Sequence, residues 1–529
     1  MAREAEYKPL LFTTTMRNPQ RIKSMLWVLK KFNGLILDNE LATKIVGETI
    51  RYGLYRPMKK CESIKAKWLN APMGEFGNEL LTDDEVKFMI TNNPQKHKEA
   101  GFERGYPSRF ATIYDFAKEL GFVFFSPGSP IEFSSIGEKL VSVFNVTVQE
   151  DNSISVEEIH PEYMQQAFLH AMCKSQRANP FVKVLNNNVP LILLLKVIQK
   201  INDDSRWNGK GVTRKELPLF IFWKDNDANA LYERICLLRE EYRYNPSDEV
   251  IIEICRDEIM EGKMKKFDSD SVISEYPDEY IRKMRITGLI SLRGCGRFID
   301  INHNEDERIQ YVLEHYSTYP QFTDGRAYFD YMATVDENLF AIKSIQTSPT
   351  QSEELLNNWV AEIDWNTIKK ELQILAKRSR NCEHQILKFI PAPVRLEFLS
   401  ALAIKSKLPS IRVIPNYVCD DTGLPTSTAG GGIGDIECLE KNNGILIEVT
   451  MAEGRQQTMM EIWPIERHLT QFKERYTPES QCLFIAPSIF GDSLRQIAFV
   501  KQDKGHIIRP YPIEDFIQYL ETTHTLYIA

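Results

Sequence analysis

The chain has 529 residues, 43% hydrophobic and 26% charged, which is ordinary for a soluble globular protein and, at roughly 150 residues per domain, predicts two to four domains. The formal net charge of -8 argues against uniform coating of nucleic acid but is compatible with a local basic face, because phosphate contact depends on where Lys and Arg lie. Nine cysteines, an odd number with no C-x-x-C pair, exclude a disulfide framework and a zinc ribbon and fit a reducing cytoplasm.

The chain begins with a polar segment, residues 1–8, which has no apolar core and is therefore no signal peptide. The most apolar run, residues 189–198, is short and is interrupted by Lys196, so it predicts a buried helix. We therefore expect no membrane-spanning segment.

Residues 1–160 are predicted to form an N-terminal helical, winged-helix-like DNA-recognition subdomain. Apolar residues at helical spacing indicate helices within 20–60 and 84–120, and a loop of basic, aromatic and glycine residues at 96–109 precedes the last of them. Two short apolar strands around a Pro-Gly turn and a new helix at Ser135 follow. Helix, two-stranded wing and helix is the order of a winged helix-turn-helix.

The same order is predicted twice more within 161–310, a second recognition subdomain. An apolar helix at 189–203 is followed by a helix start with Thr213 as N-cap and Glu216 three residues later, which is a capping box. A third copy runs from a helix near 280–287 into a hairpin at 288–301 with cationic ends. Such modules also pack protein against protein, but three in one chain favour DNA reading.

Sequence specificity would then come from arginines that reach guanine edges in the major groove. Each candidate taken alone is also a typical surface charge. The candidates are Arg104, Arg109, Arg214, Arg282 and Arg297.

The remaining residues divide into a connector and a C-terminal domain. Residues 311–380 are rich in aromatics and are predicted to be a helical linker, with helices near 351–378 and 383–405. From 381 to 529 the pattern is helix, three strands, helix and strand, which predicts an α/β domain with a mixed sheet. The expected fold is therefore multidomain α+β with a C-terminal α/β domain.

Within this domain, two apolar strands joined by a turn at 441–444 bring Asp435 and Glu448 side by side. Carboxylates at the ends of buried strands are costly unless they are paired or bind a cation. Two converging acids are a way to build a Mg²⁺ site for phosphodiester cleavage. The alternative is a plain hairpin with solvated acids.

The glycine-rich run 428–434 leads into Asp435. A phosphate-cradling loop would need a helix directly after the glycines, and here a strand follows, so we reject a nucleotide-binding loop. Glycines without side chains would instead let a DNA backbone approach Asp435.

Two helices flank the strand pair. The helix at 393–404 carries Glu397, and a predicted helix at 456–474 carries Glu461, which we expect to lean toward the two acids. Arg467 and His468 on the later helix are candidates for contacting a phosphate. No second His or Cys stands at ligand spacing beside His468, which disfavours a metal-ligand role.

This order of elements is that of the restriction-endonuclease-like nucleases with a PD-(D/E)XK motif, and the chain resembles the AlwI family of type IIS restriction endonucleases and related nicking endonucleases. The resemblance covers nearly the whole length. It is carried by residues 12–22, 395–398, 434–437, 447–450, 460–461, 467–468 and 482–487.

The resemblance implies that Asp435 and Glu448 are metal-binding acids and that Glu397 and Glu461 complete an acidic cluster. A Mg²⁺ ion would be held by Asp435, Glu448 and the Val449 carbonyl, and Glu461 would take a proton from the attacking water or hold a second ion.

The chain departs from the superfamily at two positions. Gly434 replaces the proline before the aspartate, and Thr450 replaces the lysine two residues after the glutamate. The AlwI-like enzymes also have a hydroxyl residue at the second position. Whether Glu461 or Thr450 assists the attacking water is therefore open.

The expected function is a type II site-specific deoxyribonuclease of type IIS, which binds a short asymmetric duplex DNA site and cuts a short distance outside it. The alternatives are a strand-specific nicking endonuclease, the large subunit of a heterodimeric restriction enzyme, a structure-selective repair nuclease and a non-catalytic winged-helix DNA-binding regulator. One active site cuts one strand, so cutting both would need a second copy, a small subunit or sequential nicks. A bacterial cytoplasm is the expected location.

Overall fold

The computed structural model describes residues 5–9, 18–69, 71, 74–99, 101–207, 209–263, 268–345, 347–377, 382, 384–430, 432–441 and 443–528. Parts of several segments named above lie outside the described residues. They include 1–4 of the N-terminal polar segment, 12–17 of the N-terminal family segment, Ala100 of the basic loop, residues 378 and 383 of the two predicted helices, Gly431 of the glycine run and Asn442 of the hairpin turn.

The chain divides into two units, Met1–Ser344 and Ile345–Ala529. The first unit is mainly helical, with short strands between its helices. Its elements are α1 (Ile22–Lys30), α2 (Asn39–Arg51), α3 (Glu62–Lys67), α4 (Asp83–Asn92), α5 (Tyr106–Glu119), β1 (Val123–Phe124), β2 (Glu132–Phe133), α6 (Ser135–Val141), β3 (Phe144–Val148), β4 (Ile154–Glu158), α7 (Glu162–Lys174), α8 (Pro190–Asp203), β5 (Val212–Thr213), α9 (Leu217–Phe222), α10 (Ala228–Tyr242), α11 (Asp248–Glu253), α12 (Tyr276–Arg285), β6 (Ile290–Arg293), β7 (Phe298–Ile301), α13 (Asp306–Tyr316), α14 (Gly325–Ala333) and α15 (Glu337–Ala341).

The second unit packs helices against a five-stranded sheet. Its elements are α16 (Pro349–Glu362), α17 (Trp365–Ala376), α18 (Ala392–Lys407), β8 (Arg412–Pro415), β9 (Tyr417–Cys419), β10 (Pro425–Ala429), β11 (Ile436–Glu440), β12 (Asn443–Val449), α19 (Gly454–Met460), α20 (Ile462–Arg475), β13 (Gln481–Ala486), α21 (Gly491–Lys504), β14 (Ile508–Pro512) and α22 (Ile513–Thr522).

The first predicted wing has its expected local order. α5 is followed by the antiparallel pair β1–β2 and then by α6, whose N-cap Ser134 accepts a hydrogen bond from the Gly137 amide. The structure adds a hairpin that the sequence analysis missed, β3–β4, which reverses through Asn152 at a φ of 64°. The winged-helix assignment of this segment stays a prediction.

The second and third predicted wings are joined in one sheet. The capping box of Thr213 and Glu216 is present, on a 3₁₀ turn that leads into α9. Hairpin β6–β7 forms as expected, but β5 pairs with the outer side of β7, so the sheet order is β5-β7-β6. The two segments are therefore not independent repeats, because the exposed edge of β7 is completed by a strand from the preceding segment.

The predicted linker at 311–380 contains five helices. α13, α14 and α15 belong to the first unit, whereas α16 and α17 belong to the second. The predicted single helix at 351–378 is wrong, because Asp364 interrupts it and caps α17 by accepting the amides of Asn366 and Thr367. Among the described residues, no helix combines the length and apolar composition needed to cross a membrane.

The main sheet of the second unit has the order β14-β13-β12-β11-β8. β8, β11 and β12 are antiparallel neighbours, and β12, β13 and β14 are parallel, so the predicted mixed sheet is confirmed. Helices α20 and α21 cover one face through a buried cluster that includes Leu446, Ile465 and Phe484. Helix α18, buried on nearly every side, packs against α16, α17 and β8.

Candidate active site

The strand pair β11–β12 sets Asp435 opposite Glu448. Ile436 lies directly across from Ile447, so the residues one step outward, Asp435 and Glu448, also face each other on the same side of the sheet. The Val449 amide donates to Oδ2 of Asp435 at 2.7 Å. The predicted juxtaposition of these two acids is present in the structure.

The segment before Asp435 is held by Asn416, which the sequence analysis did not single out. Its amide donates to the Asp435 carbonyl at 2.9 Å, and its side-chain Nδ2 donates to the Gly434 carbonyl at 2.7 Å. Asn416 separates β8 from β9, so the apolar run at 411–417 forms two strands. A polar residue between two strand segments was the available signal.

The space around Gly434 has no room for a side chain. A Cβ built on Gly434 would lie 2.8 Å from Oε1 of Glu448 and would also overlap Leu446. The proline expected at this position in the wider superfamily would therefore collide with the neighbouring strand. Glycine at 434 is a steric consequence of the close approach of β11 and β12.

Glu448 is buried and faces α20. Nδ1 of His468 lies 2.9 Å from Oε1 of Glu448, and only 6% of Glu448 is exposed. His468 was considered for contacting a phosphate, and the structure places its ring against this acid. The neighbouring Arg467 is exposed on the same helix.

Glu461 lies at a break between two helices. The predicted single helix at 456–474 is wrong, because α19 ends at Met460 and α20 begins at Ile462. Pro464 explains the break: it has no N–H to donate to the Met460 carbonyl, and its ring would clash with that carbonyl in a continuous helix. This proline was the signal that the sequence analysis passed over.

Thr450, at the position of the absent lysine, contacts Glu461. Its hydroxyl donates to Oε1 of Glu461 at 2.8 Å and accepts the Ala452 amide at 2.9 Å. Its own amide donates to the Ile485 carbonyl at 3.0 Å, which anchors it to β13. The Thr450 hydroxyl therefore positions the Glu461 carboxylate.

Glu397 is buried on α18, with 4% of its surface exposed. Its Oε2 accepts the Ala429 amide at 3.2 Å, at the end of β10 where the glycine-rich run begins. Glu397 thus contacts the segment that leads to Asp435.

The acids perturb one another electrostatically. Desolvation raises the pKa of Asp435 well above its usual range, and the charge of Glu448 raises it further, against the lowering effect of the Val449 amide. Desolvation also raises the pKa of Glu448, with a contribution from Glu461, and that of Glu397, with a contribution from Asp435. Desolvation lowers the pKa of His468, and Arg467 lowers it further, so the ring favours its neutral form.

The donors at this site are carboxylate and carbonyl oxygens, which suit a hard divalent cation. In the part of the chain that the structure describes, no three His, Cys, Asp or Glu side chains converge closely enough to hold a metal ion. Cation binding would thus use one or two carboxylates with water or phosphate oxygens completing the shell, as is usual for Mg²⁺.

The arginines considered for base reading lie in the first unit and differ in their surroundings. Arg104 and Arg297 are exposed. Arg109 donates to Oε1 of Gln95 at 2.7 Å and lies beside His97. Arg214 pairs with Asp278 and donates to the Ser274 carbonyl, whereas Arg282 is half-buried on α12.

Comparisons with known proteins show similarity to restriction endonucleases. A model of the AlwI restriction endonuclease family matches residues 118–339 and 330–519. Among solved structures, the chain is similar to the small subunit of the heterodimeric restriction endonuclease R.BspD6I, with 23% identity, 29% of this chain and 76% of that chain covered, and a TM-score of 0.25.

Two structures of the restriction endonuclease FokI also align with the chain. One shows 9% identity, covers 96% of this chain and 95% of that chain, and has a TM-score of 0.23. The other, bound to DNA, shows 11% identity, covers 95% of this chain and 69% of that chain, and has a TM-score of 0.21. No curated protein matches the chain.

Proposed function

The chain belongs to the AlwI restriction endonuclease family, and from this premise we propose that it is a Mg²⁺-dependent type IIS DNA endonuclease acting in a bacterial cytoplasm. It binds a short asymmetric duplex site through its first unit and hydrolyses phosphodiester bonds a short distance outside that site with its second unit. The observation that carries the chemistry is the face-to-face placement of Asp435 and Glu448 at the ends of two buried strands.

The acids fit a divalent cation because their negative charges are crowded and partly removed from water. Desolvation raises the pKa values of Asp435 and Glu448; the charge of Glu448 raises that of Asp435 further, and the charge of Glu461 raises that of Glu448, so a bound cation would relieve the repulsion. Asp435, Glu448 and the Val449 carbonyl would hold the ion. When bound, Mg²⁺ would polarise the scissile phosphate and lower the pKa of a coordinated water.

The surrounding residues orient these acids. The Val449 amide fixes Oδ2 of Asp435, and His468 fixes Oε1 of Glu448. Thr450 directs its single hydroxyl proton to Glu461, so the Thr450 hydroxyl cannot at the same time donate to the attacking water. We therefore assign proton acceptance from that water to Glu461 and the positioning of Glu461 to Thr450.

The glycine run and the first unit would place the DNA. Glu397 holds the Ala429 amide at the start of the run, and a Cβ at Gly430 would contact no neighbouring atom, so the backbone there is open to a close ligand. In the first unit, the winged-helix segments would enter the grooves, with Arg104 and Arg297 exposed for contact with DNA.

One copy of this site cuts one strand. Two-strand cleavage would require a second copy of the chain, a separate small subunit or sequential nicks, whereas a chain that makes a single cut would be a strand-specific nicking enzyme. The dependence of linear product on protein concentration separates these modes, because association of two copies makes the second cut concentration-dependent.

Supercoiled plasmid incubated with Mg²⁺ tests the function directly. We expect nicked or linear DNA with fixed ends from the wild type and none from Asp435→Asn or Glu448→Gln. Mapping both strands gives the site, the offset and the strand count together. Sequence-specific binding without cleavage would instead favour a non-catalytic regulator, and cuts set by junctions or lesions would favour a repair nuclease.

A further inference from the structure

Three exposed cations of the first unit lie close together in the fold, and their side chains make no ion pair with the described part of the chain. They are Lys210, Arg243 and Arg297. Nearby arginines are engaged: Arg206 pairs with Asp204 at 2.7 Å, and Arg234 pairs with Glu258 at 2.8 Å. Cations that are left without protein partners at a surface are available to an anionic ligand.

The three cations are connected by two aromatic rings. Nζ of Lys210 lies 5.9 Å from the Tyr244 ring, and Tyr244 contacts Phe298 edge-on at 5.4 Å. The Arg297 guanidinium lies 5.5 Å from the Phe298 ring, and Arg243 directly precedes Tyr244. The result is a row that runs from Lys210 through the Tyr244 and Phe298 rings to Arg297, with Arg243 beside Tyr244 in the sequence.

A buried ion pair fixes the base of this row. Arg239, with no exposed surface, donates to both carboxylate oxygens of Glu216 at 2.7 and 2.8 Å and to the Gly211 carbonyl at 2.6 Å. Its guanidinium lies 5.5 Å from the ring of Trp207 and 5.1 Å from that of Tyr244. The segment that carries Lys210 and the end of α10 are thereby held together.

The backbone of Arg243 is unusual for a residue with a side chain. It ends α10 at a φ of 57° and a ψ of -127°, and its amide donates to the Arg239 carbonyl at 2.8 Å. Residues with a side chain rarely adopt this conformation, and such conformations cluster at functional sites. The turn brings Tyr244 over Arg239 and leaves Arg243 in solvent.

Two of the nearby acids are already paired. Glu240 is paired with Arg206 at 2.7 Å, and the buried Asp300 is paired with Arg293 at 2.9 Å. Glu241 is exposed, and its carboxylate raises the pKa of the neighbouring Tyr242.

We propose that Lys210, Arg243, Tyr244 and Arg297 form a surface that contacts the sugar-phosphate backbone of duplex DNA. This inference rests on the proposed function and assigns part of its substrate contact. Unpaired cations held close together by shared ring contacts suit a ligand with regularly spaced negative charges, and phosphate contacts of this kind fix the position of the protein on DNA without reading its sequence. The aromatic rings keep the cationic side chains extended along the row.

The test measures binding of the full-length chain to a labelled duplex of arbitrary sequence in EDTA, over a series of KCl concentrations. Each phosphate contact contributes about 0.9 to the slope of log affinity against log salt. The combined variant Lys210→Ala, Arg243→Ala and Arg297→Ala should therefore lower that slope by about 2 to 3 and weaken low-salt binding more than tenfold. Circular dichroism establishes that the variant is folded, and a charge-retaining Lys210→Arg, Arg243→Lys and Arg297→Lys variant should keep the wild-type slope.

The matched control removes three exposed cations of the same unit that are already paired with acids: Lys65→Ala, Arg256→Ala and Lys263→Ala. Its slope should stay within about 0.5 of the wild type. An unchanged slope in the variant that lacks Lys210, Arg243 and Arg297, or an equal loss of slope in the control, would overturn the proposed DNA-contacting surface. The proposed function would still stand if the wild type cuts plasmid. A wild type that neither binds duplex nor cuts plasmid would instead overturn the proposed function itself.

Discussion

Gly434 and Glu448 approach so closely that a Cβ on the glycine would lie 2.8 Å from Oε1 of the glutamate. Gly434→Ala should therefore displace the Glu448 carboxylate, at a cost of about 1–3 kcal/mol. Since a misplacement of about 1 Å at a reacting centre can cost about 10²-fold in rate, we expect plasmid cleavage to fall about tenfold or more. Initial rates on supercoiled plasmid at saturating Mg²⁺ measure the effect.

Gly491→Ala is the matched control, because a Cβ at 491 meets nothing within 4 Å and Gly491 begins α21 in the same unit, outside the glycine run. It should cleave at close to the wild-type rate. Equal rates for the two alanine variants would show that the carboxylate of Glu448 tolerates the added methyl group, and the steric account of the missing proline would be wrong.

The strand pair with its two acids was predictable from sequence because side-chain alternation and a short turn fix an antiparallel register. Once Ile436 faces Ile447, Asp435 must face Glu448. The α/β order of the second unit followed in the same way from alternating strand and helix periodicity. These are local patterns, and local patterns are what a single sequence carries.

The remaining parts of the site depend on contacts that are distant in sequence. Neither the hydrogen bond from Ala429 to Glu397 nor the contact of His468 with Glu448 has a local signature. The pairing of β5 with β7 likewise joins segments that periodicity treats as separate repeats. The helix break before Pro464 differs from these contacts, since a proline within a helical pattern is a local signal that the sequence itself carries.

Removing the Thr450 hydroxyl should slow the chemical step. Thr450→Val keeps the shape of the side chain but releases Oε1 of Glu461, whereas Thr450→Ser keeps the hydroxyl. Positioned acid–base groups contribute typically 10²–10⁴-fold, so we expect the valine variant to lose about tenfold or more in kcat with little change in KM. The Thr450→Ser variant should keep most of the wild-type kcat.

Single-turnover cleavage separates this role from binding, and Tb³⁺ luminescence reports metal affinity without turnover. A purely structural role for Thr450 would lower the thermal stability of the valine and serine variants alike and leave the kcat of the folded protein unchanged. That result would overturn the assignment of Thr450 as the residue that positions Glu461.

The crowded acids should make the second unit less stable as pH rises in EDTA. The pKa values of Asp435, Glu448 and Glu397 are raised in the folded state, so the folded form binds protons more tightly than the unfolded chain. The stabilisation that these protons contribute is complete below the pKa values of the unfolded chain, near 4. It is lost as pH rises through the pKa values of the folded state.

Asp435→Asn removes one of these charges and keeps an oxygen to accept the Val449 amide. Calorimetry in EDTA should therefore show a higher unfolding temperature for Asp435→Asn than for wild type at pH 8, and a smaller difference at pH 5. Adding Mg²⁺ at pH 8 should raise the unfolding temperature of the wild type more than that of the variant, because ligand binding to the folded state stabilises it. A difference that is larger at pH 5 would contradict the sign of these pKa shifts.

Arg239 and Glu216 offer a test of the first unit. Arg239→Met preserves much of the side-chain volume but leaves the Glu216 carboxylate, which is 1% exposed, without its guanidinium partner. Loss of one member of a buried pair costs about 3–5 kcal/mol, so the midpoint of denaturant unfolding should lie at a distinctly lower denaturant concentration. Arg234→Met on the same helix breaks the more exposed pair with Glu258 and should cost less than about 1 kcal/mol.

The two variants also separate stability from DNA contact. Because Arg239 supports the Tyr244 ring, Arg239→Met should lower the salt slope of duplex binding under conditions where the protein is still folded, while Arg234→Met should not. Equal midpoints for the two variants would mean that the Glu216 carboxylate finds another partner or becomes protonated on loss of Arg239. In that case the row of cations would be held by the β5–β7 pairing and not by the buried ion pair.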